Sequence, residues 1–404
     1  MKKYLTIIAS AALLAACSND ADVADYGQPT GKAIAFNMSL ADQGAQTRAA
    51  NEIKDDATLQ TKKFGVFAAY TGRLKYEQTT VSCDFMYNQK VEYLNGKWQY
   101  SPVKYWANDS LEYISFYAYA PYVDKFATED EGGIVDMSKN TDLGDPWINF
   151  RLPSRPWAVD ATDAGQANQI DLLYMQHRTG GTGTEEDPYT YTAWDDQSNP
   201  HKVDSVMQFN FLHALACVGD TVKISLSKEL EDYIDGYCEL LLDSITIEYV
   251  NLTTKARLVL RTTGGVANWK EIISGELTTT RTFAKKYNAL KLTSEIQKIC
   301  EGTGLFYIPL QVRGTDPAKA IVKVGYTVKI KDVPELTATP DATDMTYKGE
   351  AIGEFELDNN LEGKKQNINL VIGKNVDLKH LFFEYKDQDD NDPPLTPSYS
   401  RKNK

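Results

Sequence analysis

Histidine is scarce in this chain. The four present, His177, His201, His213 and His380, are widely spaced. Cysteine is little better represented, with five residues and no Cys-x-x-Cys pair. Together these absences exclude the common zinc motifs, which need two close pairs of ligands. No G-x-S-x-G elbow occurs, and the Gly-rich run "TGGTGTEED" lacks the Lys-Ser/Thr ending of a phosphate loop. Basic charge is also in deficit: the formal net charge is −13. Nucleic acid is therefore not an expected partner, because it calls for a basic stripe. Beyond the N-terminus no apolar run approaches the ~18 residues of a transmembrane helix. Helical periodicity is rare as well.

What is present begins with a leader. Lys2 and Lys3 precede an apolar stretch, Tyr4–Ala16, that ends Leu14-Ala15-Ala16-Cys17. Small residues before a cysteine form a bacterial lipobox, which predicts a signal peptide over 1–16 and a diacylglycerol thioether on Cys17. The competing reading is an ordinary secretion signal with Cys17 there by chance. The lipid would anchor the protein to a membrane without spanning it.

Most of the rest alternates with period two, as half-buried strands do. "KAIAFNMSL" (Lys32–Leu40) places Ile34, Phe36, Met38 and Leu40 on one face. It is followed by a polar run with a single cation, Arg48. "KFGVFAAY", "LEYISFYAYAPY", "SVMQFNFLHALACV", "SITIEYV", "AIVKVGYTVKI", "QNINLVI" and "VDLKHLFFEY" read the same way. "KVEYLNGKWQYSPVKYW" is a hairpin about Asn95-Gly96, because both residues tolerate positive φ. Two short stretches predict helices: "SKELEDYIDGY", and "TSEIQKIC", where Ser294 and Gln297 have capping-box spacing. Many short strands and few helices predict an all-β chain of sandwiches. At about 100–200 residues per domain the length suits two. The Gly- and acid-rich stretch Arg178–Lys202 is a long loop or the link between them, giving domains over 49–200 and 201–385 and a mobile polar tail over 386–404.

Candidate chemistry is thin. His213 and Cys217 would adjoin on a helix, but on a strand four residues span about 13 Å. Asp387, Asp389 and Asn391 open like a calcium loop, yet Asp392 stands where the turn needs Gly and Ser398 where the bidentate Glu belongs. No metal and no cofactor are expected. Glu185-Glu186 could serve a hydrolase, and the loop aromatics about Trp194 could stack on a sugar; a solubilising acid pair and a packed aromatic explain them equally. Cys83, Cys217, Cys238 and Cys300 permit two disulfides, but their spacing follows no framework, and they read better as small apolar residues.

"IAFNMSL", "TRAA", "FGVFAAY", "FMYNQKVEY…GKWQYSPVKYW", "ISFYAYAPY", "DLLYMQ", "MQFNFLHALACV" and "LEGKKQNINLVIG", in this order behind a lipobox, resemble the fimbrillin (Mfa-like) family of Bacteroidales lipoproteins, subunits of type V pili. The resemblance runs from Ile34 to about Gly373. It implies two tandem transthyretin-like β-sandwiches and no enzymatic activity. It also implies a lipidated propeptide (17–48) whose first strand, carrying Ile34, Phe36, Met38 and Leu40, completes the subunit's own sandwich. An Arg-specific surface protease would cut after Arg48, leaving Ala49 as the new N-terminus and ignoring Lys54 and Lys62. The strand would leave, and other pilin subunits, identical or paralogous, would donate a strand to the groove in a surface fimbrium that supports adhesion to a host or bacterial ligand. The candidate donor is the stretch with Val376, Leu378 and Phe382, interrupted by His380. The alternative is a tip adhesin or a surface glycan-binding lipoprotein that does not polymerise.

Overall fold

A computed structural model describes residues 33–40, 52–74, 76, 79–106, 112–128, 131–157, 169–176, 197–198, 206–262, 266–272, 278–311, 314, 316–330, 346–358, 363–373 and 378–384. At 176, 197–198, 278–279 and 378–384 it describes the backbone alone. The class is all-β, as expected.

The largest sheet comprises β1 (Phe36–Leu40), β2 (Phe64–Gly72), β3 (Met86–Leu94), β4 (Lys97–Gln99), β5 (Tyr113–Ala120), β8 (Leu173–Gln176), β9 (Gln197–Ser198) and β10 (Met207–His213). Its order is β1-β10-β8-β5-β2-β3-β4, with β9 against β5. A second sheet joins β6 (Gly133–Met137) and β7 (Trp147–Arg151) to β13 (Lys255–Val259) and β14 (Asn268–Glu271), in the order β14-β13-β7-β6. A third contains β11 (Ala216–Leu226), β16 (Gln297–Glu301), β17 (Leu305–Tyr307), β20 (Lys365–Ile372) and β21 (Leu378–Glu384), in the order β16-β11-β20-β21 with β17 against β11. The fourth is β15-β12-β18-β19, from β12 (Cys238–Thr253), β15 (Thr278–Lys291), β18 (Lys319–Ile330) and β19 (Thr346–Glu356). Two short helices, α1 (Asp56–Thr61) and α2 (Lys228–Ile234), are capped by Asp55 and Ser227. Chain from either side of residue 200 is interleaved: β10 lies in the first sheet, and β13 and β14 pair with β7 and β6.

The central strands of the first sheet are buried on both faces. Phe64, Val66 and Ala68 of β2 and Phe116 and Ala118 of β5 enter one core. Their alternates Phe67, Ala69, Tyr117 and Tyr119 enter a second, larger core shared with the other three sheets. This explains why "FGVFAAY" and "ISFYAYA" are apolar almost throughout rather than alternating. The expected hairpin joins β3 to β4, with φ of 52° at Asn95 and 78° at Gly96.

"SKELEDYIDGY" contains α2, as expected. "TSEIQKIC" is not a helix. Its second half is β16, paired antiparallel with β11 so that Cys300 lies opposite Val222. The reason is that Ser294 caps nothing: its N–H and its hydroxyl both bond the Glu231 carboxylate of α2, while Ile299 and Cys300 are buried in the larger core. Cys83, Cys217, Cys238 and Cys300 are free. Among the described residues no helix is long and apolar enough to cross a membrane, and no group of acids, histidines or cysteines could hold a metal ion.

Candidate functional site

β1 is an edge strand. It pairs in parallel with β10, from Phe36 opposite Met207 to Leu40 opposite Phe211. Period-two alternation splits its residues. Ile34, just ahead of the strand, and Phe36 and Met38 are buried, and Leu40 is half-buried. The Phe36 ring is the anchor. Its centroid lies 5.1 Å from Phe209, 5.2 Å from Tyr100, 6.0 Å from Phe116 and 6.4 Å from Phe64. Such aromatic pairs each add about 0.5–1.5 kcal/mol beyond the burial of area.

The opposite face of β1 is polar and meets a polar face on β10. Asn37 donates from Nδ2 to Gln208 Oε1 at 2.8 Å, and Ser39 Oγ donates to Asn210 Oδ1 at 2.8 Å. The seam is therefore apolar inside and amide-lined outside, which pins its register: a one-residue slip would exchange the two faces.

Three contacts fix the strand's ends. The Ile34 N–H donates to Lys104 O at 2.9 Å. Tyr100 donates its hydroxyl to Ile34 O at 2.8 Å and accepts from the Lys104 N–H at 3.2 Å. Burial pushes the Tyr100 phenol up to about 12, so it keeps its proton near neutrality. At the other end the Leu40 N–H donates to Asp56 Oδ1, the first residue of α1, at 2.7 Å. The chain following β4 thus folds back onto the chain preceding β1, so that the two edges of the first sheet meet around the aromatic core.

Just downstream the chain re-enters at Glu52, into a buried charged cluster. The Ile53 N–H donates to Asp171 Oδ2 at 2.8 Å, and the other Asp171 oxygen lies 2.8 Å from His213 Nδ1. Glu52 pairs with Lys365 of β20 at 2.5 Å. Burial disfavours the charged form of His213, but the charge and hydrogen bond of Asp171, aided by Glu52, outweigh it and hold its pKa above the usual value. Burial raises the Glu52 pKa despite Lys365. Cys217, four residues from His213, is buried, and burial pushes its thiol well up.

Cys17, Arg48, Ala49, Val376, Trp194, Glu185, Glu186 and the acidic tail lie outside the described residues. Leu378 and Phe382 lie on β21, the other edge strand of interest, opposite Ile372 and Asn369 of β20. The candidate first strand and the candidate donor are thus on different sheets. Tyr100, Asp56, Glu52, Asp171 and Lys365 were not legible as site residues, because each acts on a segment distant in sequence.

No protein-family model and no curated protein matches the chain. Among solved structures, a fimbrial protein from Bacteroides vulgatus aligns with a TM-score of 0.59 at 18% identity, covering 88% of this chain and 99% of that one. A proposed cell adhesion protein from Bacteroides uniformis aligns at 0.36 and 14% identity over 90% and 100%. The fimbrial anchor protein Mfa2 from Porphyromonas gingivalis aligns at 0.29 and 12% identity over 84% and 90%. The fold comparison rests on the first. The chain shares the all-β fold of that fimbrial protein, and all-β is the class that its resemblance to fimbrillins implied.

Proposed function

We propose that the chain is a structural subunit of a type V surface fimbrium. In this reading it is exported as a lipoprotein through Cys17 and held at the outer membrane. An Arg-specific surface protease cuts it after Arg48, and it assembles when the groove left by β1 accepts a strand from another subunit. The observation that carries the reading is the place of β1: a sheet-edge strand whose segment inserts Ile34, Phe36 and Met38 into an aromatic groove and whose ladder, among the described residues, is formed with β10. An edge strand leaves without cutting a sheet in two, and the backbone groups and side-chain pockets it uncovers are those a donor strand can satisfy. The anchoring of Glu52 and Ile53 fits the same scheme, because a cut at Arg48 separates β1 from a body whose first residues are already held.

The test is N-terminal sequencing and intact mass of the protein taken from the cell surface, beside an Arg48→Ala variant. A start at Ala49 and detergent-resistant ladders, both lost in the variant, are expected. A surface form that begins at lipidated Cys17 and stays monomeric would sink the shaft role and favour a tip adhesin.

A further inference from the structure

The outward face of the second sheet departs from the rest of the molecule. Its inward face is apolar, with Ile148, Phe150, Ala256, Leu258 and Trp269 in the larger core. By alternation the outward face carries Trp147, Asn149 and Arg151 on β7, Lys255 and Arg257 on β13, and Lys270 on β14. The register sets Arg151 directly opposite Lys255, and Arg257 directly opposite Lys270. Like charges directly opposite on one face are destabilising. Elsewhere the fold avoids this: Lys323 pairs with Glu248, Lys319 with Glu354 and Lys291 with Glu239. Among the described residues neither Lys255 nor Lys270 has an ion-pair partner. A chain of formal charge −13 thus gathers four cations in two adjoining rows on one flat face.

Arg257 is held in a set orientation. Its guanidinium carbon lies 3.6 Å from the Trp147 ring centroid, and its Nε donates to Asn149 Oδ1 at 3.1 Å. Stacking fixes the guanidinium plane and leaves the two terminal nitrogens for an oxyanion, the geometry that suits sulfate and carboxylate. Arg281 extends the field from β15: its Nε donates to Pro153 O at 2.7 Å, and burial together with nearby Arg151 lowers its pKa. Two acids adjoin the face. Asp136 accepts from Asn149 at 3.3 Å, and Glu271 ends β14.

We propose that this face binds an anionic polysaccharide, a glycan bearing sulfate or uronic-acid groups laid across β7, β13 and β14. Arg151, Lys255, Arg257 and Lys270 meet the charged groups, and Asn149 and Trp147 orient Arg257. Rows of strands about 4.8 Å apart, with outward residues about 6.7 Å apart along each strand, present a regular charge grid that suits a repeating polymer. Duplex DNA, with one charge per about 1.7 Å of axis, matches that wider spacing less well than a glycan with one or two charges per repeat. The inference does not depend on cleavage at Arg48.

The test uses the full chain and two double variants of equal charge change: K255E/K270E on the face, and K97E/K348E on exposed positions elsewhere. Binding to dextran sulfate, polygalacturonate, neutral dextran and duplex DNA is measured at low and moderate salt. Saturable binding to one or both anionic glycans is expected, weakened at least tenfold by K255E/K270E and by higher salt, and kept by K97E/K348E. Sulfated and uronate arms distinguish the two sources of charge. K255E/K270E should melt no lower than wild type, since it removes like-charge pairs, so its loss of binding would not be a loss of fold. Equal weakening by both variants, binding to dextran, or DNA binding as tight as glycan binding would overturn the proposal. So would no binding, or self-association that K255E/K270E abolishes without any glycan binding; the last would make the face a contact between copies.

Discussion

Replacing Phe36 by alanine should loosen β1 without dissolving the rest of the fold. The ring is almost fully buried and touches four others, two of them within about 5.2 Å. Buried Phe→Ala substitutions cost about 3–5 kcal/mol. Because β1 is an edge strand whose ladder among the described residues is with β10, and whose other bonds lie at its two ends, that loss should fall on the local opening of the seam. At 1.4 kcal/mol per tenfold, the amides of 36–40 and 207–211 should exchange about 10²- to 10³-fold faster, or reach the unprotected limit if the strand's own opening energy is smaller. Peptide-resolved hydrogen exchange measures this directly. The amides of β12 and β18, in the fourth sheet, should keep their protection. Asn37→Ala is the control on the same strand: it removes one exposed side-chain hydrogen bond and should cost no more than about 1 kcal/mol. If Phe36→Ala accelerates β12 and β18 by the same factor as β1, the strand is not separately detachable and the reasoning fails. Equal effects of Phe36→Ala and Asn37→Ala would show that the aromatic groove does not hold the strand.

The buried cluster yields two more expectations. Because the folded-state pKa of His213 is raised, its contribution to stability is complete below the unfolded value of about 6.5 and is lost as pH rises through the folded value; wild-type melting temperature should therefore fall more steeply between pH 6 and 8 than that of His213→Gln, and parallel curves would refute the link. Lys365→Met leaves Glu52 buried without its cation and should cost about 3–5 kcal/mol in urea denaturation, while the double variant with Glu52→Leu should recover much of that; a double variant no more stable than Lys365→Met would show that the buried carboxylate is not the source of the loss.

Local chemistry was legible; contacts between distant segments were not. Asn95-Gly96 announced its hairpin because the turn needs positive φ at two successive residues, a demand that few residue pairs meet. The alternation of Ile34, Phe36, Met38 and Leu40 announced a strand with one wet face. "TSEIQKIC" misled because a capping box is only a local option: Glu231, from another element, takes both Ser294 groups. β15 and β19 escaped notice for a different reason. Most of their residues are polar or exposed, and Phe283 and Ala351 are their buried exceptions, so too little apolar alternation remained to read. The cluster of Glu52, Asp171, His213 and Lys365 left no signal at all, because four isolated charged or titratable residues have no spacing to recognise.

The proposed assembly requires that β1 can leave, and β1 differs from its neighbours in the way that demands. β2 and β5 bury both faces, so extracting either would expose two cores and break two ladders or more. Their near-continuous apolar sequences are the record of that. β1 buries one face and bonds along one edge, so its sequence must alternate: apolar toward Phe209 and Phe116, amide or hydroxyl toward Gln208 and Asn210. Its departure would uncover one groove and one row of backbone groups, on β10. β21 holds the corresponding place at the edge of the third sheet, paired among the described residues with β20. In the proposed assembly one strand is lost and another lent, and β1 and β21 hold the edge positions that each of those roles requires. A strand buried on both sides could serve neither purpose, however apolar its sequence.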